Sequence, residues 1–174
     1  YVASPRQLSV LRPRDERDHI AWLLARRAYR QALEALEALG SAPAAALGYD
    51  VAAIGREYLW YLMEERGAYA EAAALMPLLL RTDRGAWDTF VCCYLERHQV
   101  DAILPHIPTQ DPQLSEMVYD LVLVHLLQHD PTRLLATLRA WPSHIYSKQA
   151  VAAAIGDHAR NSHTLLECLA QLYM

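Results

Sequence analysis

The chain has 174 residues, of which 53% are hydrophobic and 21% charged, and its formal net charge is −4. This composition supports a buried core and excludes a disordered chain, and three cysteines are too few for a disulfide scaffold. The chain is mildly acidic and has no basic face, which argues against nucleic-acid binding. It contains no run of about 18 apolar residues, so we predict no transmembrane helix.

Residues 1–13 contain Pro5 and Pro13 and predict an extended tail, after which the chain predicts helices in succession. No segment has the sustained period-two alternation of a half-buried strand, so we predict no sheet. A short segment around 101–104 lies between the fifth and sixth helices. The predicted helices cover residues 15–27, 29–39, 50–65, 69–80, 85–97, 112–129, 131–140, 143–160 and a last stretch that begins at 163.

Proline and aspartate mark several of these boundaries. Asp111 and Asp130 each precede a proline, which predicts an N-cap followed by proline at the first helical position of the sixth and seventh helices. Pro77 lies inside the fourth helix and should kink it or end it early. The Ala- and Gly-rich stretch 40–50 predicts a loop.

Two helix junctions are similar at an offset of 40 residues. A weaker third copy covers 97–102. Stacked helix pairs of this kind predict an all-α fold, an α-solenoid of antiparallel pairs, with a compact bundle as the alternative. The aligned residues are Arg26 and Arg66, Ala28 and Ala68, Tyr29 and Tyr69, Ala32 and Ala72, Leu36 and Met76, and Leu39 and Leu79.

The predicted organisation is one solenoid segment over 14–174, preceded by the tail at 1–13. The chain starts without methionine and stops at Met174 inside an apolar helical pattern. We therefore expect a fragment of a longer protein.

Two groups of side chains could carry metal or thiol chemistry. His125 and His129 have the i, i+4 spacing that can hold a metal on a helix, but no H-E-x-x-H motif or cysteine partner accompanies them. Cys92 and Cys93 are adjacent, point about 100° apart on a helix and favour packed, reduced thiols. We therefore predict structural histidines, no metal ligands and no cofactor.

Enzymatic chemistry is not indicated. Asp18-His19 and Asp157-His158 could each suggest a catalytic dyad, but neighbours in sequence do not face each other on a helix. No nucleophile elbow and no glycine-rich phosphate loop is present. We predict no catalytic residues and no enzyme.

The tryptophans and tyrosines mostly fall on apolar stripes and favour core packing. Trp60 and Tyr61 are the exception, because adjacent side chains cannot both face one core. We therefore take this pair as the candidate interface. The alternative function is a helical-repeat module that binds nucleic acid or a metal through its aromatic and histidine residues. The core set comprises Trp22, Trp87, Trp141, Tyr58, Tyr94 and Tyr119.

A series of short motifs, taken in order and spacing, resembles one protein family over about residues 4–173. The family is the vacuolar protein sorting subunit forty-one family of the HOPS tethering complex, and the resemblance is to its helical middle region. The stretch 40–50 departs from the family pattern. The motifs are Pro13-Arg14-Asp15, Asp18-His19-Ile20, Trp22-Leu23-Leu24, Tyr29, Ala32-Leu33, Leu104-Pro105-His106-Ile107-Pro108, Asp111-Pro112-Gln113-Leu114, Tyr119, Trp141-Pro142, Ile145-Tyr146, Asp157-His158, Thr164-Leu165-Leu166 and Leu169-Ala170-Gln171-Leu172-Tyr173.

This resemblance implies a tetratricopeptide-like or clathrin-heavy-chain-repeat-like solenoid of eight or nine helices. It implies a scaffold in vesicle transport and fusion at the vacuole or lysosome. The implied partners are other HOPS subunits and, through the full-length protein, small GTPases and the AP-3 adaptor. The implied location is cytoplasmic and peripheral, on the membrane of the late endosome, vacuole or lysosome.

Overall fold

The structure is a computed structural model that describes residues 2–4, 7–9, 15–158 and 163–173, with side chains for 15–156 and 163–172. Contacts divide the chain into two compact units, Tyr1–Tyr58 and Leu59–Met174. The α-helices in the described ranges are α1 (Glu16–Ala25), α2 (Tyr29–Leu39), α3 (Ser41–Ala46), α4 (Val51–Glu64), α5 (Tyr69–Leu80), α6 (Arg84–Glu96), α7 (Val100–Ile103), α8 (Glu116–His129), α9 (Pro131–Ala140), α10 (Lys148–His158) and α11 (His163–Tyr173).

The nine predicted helices all occur, and two short ones add to them. α3 forms inside the stretch that predicted a loop, where Ala44 is fully buried and Gly48 ends the helix with a positive φ of 83°. α7 forms where a short segment was expected and continues into a 3-10 turn at Leu104–His106. The high helix propensity of alanine favours α3, and the burial of Ala44 alone anchors this short helix.

A short antiparallel pair near the N-terminus corrects the prediction of no sheet. β1 (Val2–Ser4) pairs with β2 (Gln7–Ser9), and Ala3 lies opposite Leu8. Both strands are extended, as predicted for the tail. Strands of three residues are too short to show a period-two pattern, so the sequence gives no signal for them.

In the first unit, capping and burial agree with the sequence. The Asp15 side chain accepts a hydrogen bond from the Asp18 N–H at 2.7 Å and so caps α1. Tyr29 of α2 stacks on Tyr58 of α4 with ring centroids 5.7 Å apart, and its hydroxyl donates to Glu57 at 2.9 Å. Leu36 of α2 is also buried in this unit.

Three helix junctions each contain a residue in the left-handed region. These residues are Arg27, Gly67 and His98, with φ values of 57°, 60° and 54°. At the first and third junctions, this residue's N–H bonds to the carbonyl three residues earlier, and the next N–H bonds five residues earlier, which are the hydrogen bonds of a Schellman motif. At the second junction the Ala68 N–H instead bonds to the Leu62 carbonyl, six residues earlier. The predicted repeat therefore corresponds in the left-handed residue at all three junctions and in the hydrogen bonds at two of them.

The side chains after the first two turns also correspond. α2 begins at Tyr29 and α5 at Tyr69, and Ala32 and Ala72 one turn later are both fully buried. Tyr69 packs edge-on against Tyr94, with centroids 5.8 Å apart. A small buried residue at this position lets a neighbouring helix approach closely, as the sequence predicted.

α5 has the predicted bounds, Tyr69–Leu80, so of the two outcomes expected at Pro77, a kink or an early end, the early end does not occur. The helix continues through Pro77 to Leu80. Ala73, Met76 and Leu80 on its buried face hold the last turn in place. Their burial offsets the one backbone hydrogen bond that the proline removes.

The core of the second unit is built on α6, α8 and α9. Trp87 of α6 is 1% exposed, and its indole N–H donates to the Arg81 carbonyl at 3.1 Å. α6 packs against α5, α7 and α8, and α8 packs against α9 and α10. α9 opens as predicted, because the Asp130 side chain accepts from the Arg133 N–H at 3.0 Å and Pro131 takes the first position.

Asp111 and Pro112 do not open a helix, which corrects the prediction for α8. The helix begins only at Glu116. Tyr119, fully buried, fixes the preceding segment, because its hydroxyl donates to the Pro108 carbonyl at 2.7 Å and accepts from the Leu114 N–H at 3.0 Å. These side-chain bonds replace the helical ones that an earlier start would have made.

The start of α10 is also later than predicted. The helix begins at Lys148, and Ile145 is buried in the turn before it. The Ser147 N–H donates to Asp120 of α8 at 2.9 Å, and the Ser147 hydroxyl accepts from the Ala150 N–H at 3.3 Å. Ser147 is therefore the N-cap, four residues after the predicted start at 143. The predicted end at Arg160 lies outside the described residues.

Candidate functional site

The candidate interface pair lies in the second half of α4. Trp60 is half-buried and packs against Phe90 of α6, with ring centroids 4.9 Å apart and planes tilted by 34°. Tyr61, its neighbour, is half-buried as well. Trp60 thus packs on α6 of the same unit. The role of both residues in an interface stays a prediction.

Most of the other aromatic side chains lie in the core, as predicted. Tyr58, Tyr94 and Trp87 are buried, and Trp141 packs edge-on against the buried Tyr119 with centroids 5.3 Å apart. Burial, as the main cause, raises the pKa of the Tyr94 and Tyr119 hydroxyls, so both stay neutral at physiological pH. The burial of these aromatic side chains therefore supports a role in core packing rather than in stacking on the bases of a nucleic acid.

Trp22 is the exception, because the prediction that it belongs to the core is wrong. Its side chain is 37% exposed. It stacks with His19 at 6.3 Å between centroids, and the Arg26 guanidinium lies 4.5 Å from the ring centroid. Apolar periodicity assigns a residue to one face of a helix, but it does not show whether the side chain lies at the buried centre of that face or at its partly exposed edge. Trp22 lies at the edge.

Three histidines meet in the second unit, and the sequence predicted only two of them as neighbours. His125 and His129 stack one helical turn apart on α8, with ring centroids 4.2 Å apart. His98, in the turn after α6, lies 5.8 Å from each of them between ring centroids. One ring nitrogen of each residue lies within 4.8 Å of those of the other two. We call His98, His125 and His129 the histidine cluster.

The surroundings of His125 favour its neutral imidazole. Partial burial, followed by the neighbouring His129 and His98, lowers the pKa of His125, while Asp101 acts in the opposite direction. His129 Nδ1 lies 2.8 Å from the His125 carbonyl oxygen. A neutral His129 must then donate from Nδ1, which leaves its Nε2 with a free lone pair.

The sequence missed His98 because it separates this residue from His125 by 27 positions. The signal that could have located it is the repeated junction, which places residue 98 in a turn at the end of α6. Which helix lies beside that turn depends on tertiary packing, here of α6 against α8.

The suggested dyads are not assembled in the described part of the chain. Asp18 is exposed, and its neighbour His19 stacks on Trp22. The side chains of Asp157 and His158 lie outside the described residues. The prediction that the chain is not an enzyme stays a prediction.

The cysteines are free thiols in partly or fully buried positions. Cys92 and Cys93 are half-buried on α6, and Cys168 is buried on α11. Burial is the largest cause that raises the pKa of all three thiols, and Asp88 adds to it at Cys92. Because the thiolate is the nucleophile, these positions are poorly reactive at neutral pH.

We expect iodoacetamide to alkylate Cys92 and Cys93 more slowly than free cysteine at pH 7.5, because both pKa values are raised. Mass spectrometry of the intact chain over time measures the rate. Unfolding in urea is the control and should bring all three thiols to the rate of free cysteine. Alkylation of the folded chain at or above that rate would contradict this view of the site.

Among the described helices, none is both long enough and apolar enough to cross a membrane.

The comparisons with known proteins fall on one family. The sequence model of the family described as the Vps41 TPR-like region matches residues 53–174. The vacuolar protein sorting-associated protein 41 homolog of Solanum lycopersicum is 37% identical over 179 residues, which cover 100% of this chain and 18% of that protein. The Homo sapiens homolog is 33% identical over 176 residues, which cover 99% of this chain and 20% of that protein.

A more distant relative matches over the same length of the chain. Vacuolar protein sorting-associated protein 41 of Schizosaccharomyces pombe is 28% identical over 177 residues, which cover 100% of this chain and 20% of that protein. The chain thus spans about a fifth of the length of the curated relatives it matches. No solved structure gives a significant match.

The family match covers all of the second unit and agrees with the helices that the structure shows there. It confirms the predicted all-α class and the tetratricopeptide-like helical repeat. The relatives match from one end of the chain to the other, including the first unit. The chain belongs to the Vps41 family.

Proposed function

We propose that the chain is a scaffold and protein-interaction segment of a HOPS-type membrane-tethering complex subunit. It acts in vesicle transport and fusion at the vacuole or lysosome. The observation that carries the proposal is the family match over 53–174, joined by relatives that are named for vacuolar protein sorting. The alternative, a helical-repeat module that binds nucleic acid or a metal through its aromatic and histidine residues, gains no support from these comparisons.

The packing within each unit supports a scaffold role. Consecutive helices α1 and α2, α5 and α6, α8 and α9, and α10 and α11 contact each other. Repeats that contact only near neighbours form extended surfaces for partner proteins and require no catalytic groups. In the proposal, residues 14–174 form a single solenoid segment of a longer subunit.

The proposed partners are the other HOPS subunits, with small GTPases and the AP-3 adaptor reached through the full-length protein. The proposed location is the cytoplasmic face of the late endosome, vacuole or lysosome membrane, to which the protein binds peripherally. The proposal includes no cofactor and no nucleic acid.

A pull-down tests which partners the segment itself binds. The full-length subunit, the same subunit without this segment, and the segment alone are each offered to purified HOPS subunits, a small GTPase and AP-3. The proposal predicts that deletion of the segment removes at least one HOPS subunit, and that the segment alone retains it. Deletion that leaves every HOPS contact intact would contradict the interaction role.

Trp60 and Tyr61 are the proposed contact residues within this segment. We expect Tyr61→Ala to weaken capture of the bound HOPS subunit by about tenfold, the effect of losing one interface anchor. Its melting temperature should change little, because Tyr61 is only half-buried. Trp60→Ala should also lower the melting temperature, since Trp60 packs on Phe90.

Leu78→Ala, on the exposed side of α5, is the matched control for this pair and should leave capture unchanged. If Trp60→Ala and Tyr61→Ala capture the HOPS subunit as well as the wild type does, these two residues are not part of the interface.

A further inference from the structure

The histidine cluster has the donor set of a metal site that neither the family match nor the sequence motifs assign. We propose that His98, His125 and His129 bind one divalent transition-metal ion, Zn²⁺ in the first instance. The ion would tie the turn after α6 to the end of α8. This inference is independent of the proposed tethering function and concerns how the second unit is held together.

The ligand chemistry fits zinc. Neutral imidazole is a good ligand for Zn²⁺, and three histidines with one open position form a known arrangement. Nitrogens around a tetrahedral zinc lie about 3.3 Å apart, given Zn–N distances near 2.0–2.1 Å. The three ring nitrogens already lie within 4.8 Å of one another. A rotation of the exposed His98 side chain would close the remaining gap.

The hydrogen bond of His129 selects the ligating atom. Ligating histidines commonly donate their other ring N–H to a carbonyl, which fixes the tautomer and the orientation of the ring. His129 Nδ1 lies 2.8 Å from the His125 carbonyl oxygen, the distance of such a bond. The Nε2 lone pair is thereby available for the metal.

The charges around the cluster do not oppose a cation. Arg97, next to His98, pairs with Glu64, and Arg133, at the start of α9, pairs with Asp101 and Asp130. Each arginine near the cluster is thus matched by carboxylates. Asp101 also acts on His125 as a negative charge.

The backbone turn after α6 positions the side chain of His98. Its φ of 54° places the residue in the left-handed region, as at the equivalent residues Arg27 and Gly67. At this position, the imidazole of His98 comes to lie beside the two histidines of α8.

Zinc titration of the 174-residue chain tests the site directly. Isothermal titration with Zn²⁺ should give one ion per chain, and Co²⁺ should produce the visible absorption of a tetrahedral site. Zinc at about 100 times its Kd should raise the melting temperature by roughly 5–10 °C, and EDTA should reverse the rise.

Two variants identify the ligands. His98→Asn suits the left-handed backbone but removes the imidazole, and His129→Gln removes a ligand from α8; each should weaken zinc binding by about tenfold or more. His144→Gln, at an exposed histidine outside the cluster, is the control and should bind like the wild type. Circular dichroism of the metal-free variants verifies that each is folded.

Two outcomes would overturn the proposal. One is a folded wild-type chain that takes up no Zn²⁺ or Co²⁺. The other is binding that His98→Asn and His129→Gln leave unchanged, which would assign the metal to other residues such as the cysteines.

Discussion

Replacement of Trp87 by alanine is expected to lower the free energy of unfolding of the second unit by about 3–5 kcal/mol. The side chain is 1% exposed in the first turn of α6, on the same buried face as Phe90 and Tyr94, so its removal leaves a cavity in the core. The variant also leaves the Arg81 carbonyl without the indole N–H that it accepts at 3.1 Å. Urea denaturation followed by circular dichroism measures the change.

Two controls separate burial from residue type. Met117→Ala truncates a side chain that is 66% exposed in the same unit, and it should cost less than about 0.5 kcal/mol. Trp22→Ala should cost clearly less than Trp87→Ala, because Trp22 is 37% exposed, although it also loses its contacts with His19 and Arg26. Equal losses for the two tryptophan variants would contradict the assignment of the core.

Tyr119→Phe is expected to cost about 2–4 kcal/mol, although it removes only one oxygen atom. That oxygen donates to the Pro108 carbonyl and accepts from the buried Leu114 N–H. Without it, a buried donor is left unpaired and the segment before α8 loses its fixed path. The free energy of unfolding gives the size of the effect, and hydrogen exchange at the Leu114 amide gives its location.

Tyr146→Phe is the matched control for this prediction. Tyr146 is also buried, but its hydroxyl has no hydrogen-bond partner among the residues that the structure describes. We expect this variant to stay within about 0.5 kcal/mol of the wild type. A Tyr119→Phe variant that is as stable as the control would show that the hydroxyl does not hold the segment.

The helix starts and turns that could be predicted are those that residues close in sequence form among themselves. Asp130 followed by Pro131 both caps and starts α9, and the repeated junction at Arg27 and Gly67 reappears in the backbone. These features depend on neighbours within a few residues. The sequence contains all that is needed to recognise them.

The same signals failed where distant residues compete for the backbone. Asp111-Pro112 has the pattern of a helix start, but Tyr119 takes up the hydrogen bonds of the segment. Ser143 precedes a helical pattern, yet Asp120 binds the Ser147 N–H and α10 begins after it. Neither contact can be read from the sequence, because each joins residues on different elements.

The histidine cluster and Trp22 illustrate the same limit at the level of sites. The i, i+4 spacing placed His125 and His129 together, but the third member comes from the turn after α6. Apolar periodicity placed Trp22 on a helix face without saying whether that face is covered. Tertiary packing decides both questions.

Vacuole fusion in a chimera tests the central claim most directly. The segment of Schizosaccharomyces pombe vacuolar protein sorting-associated protein 41 that aligns with this chain is replaced by the 174 residues, and fusion is measured in cells that lack the native gene. The account predicts that the chimera restores fusion, while the same chimera with Trp87→Ala restores it less. A folded chimera, present at the native level, that fails to restore fusion would contradict the account.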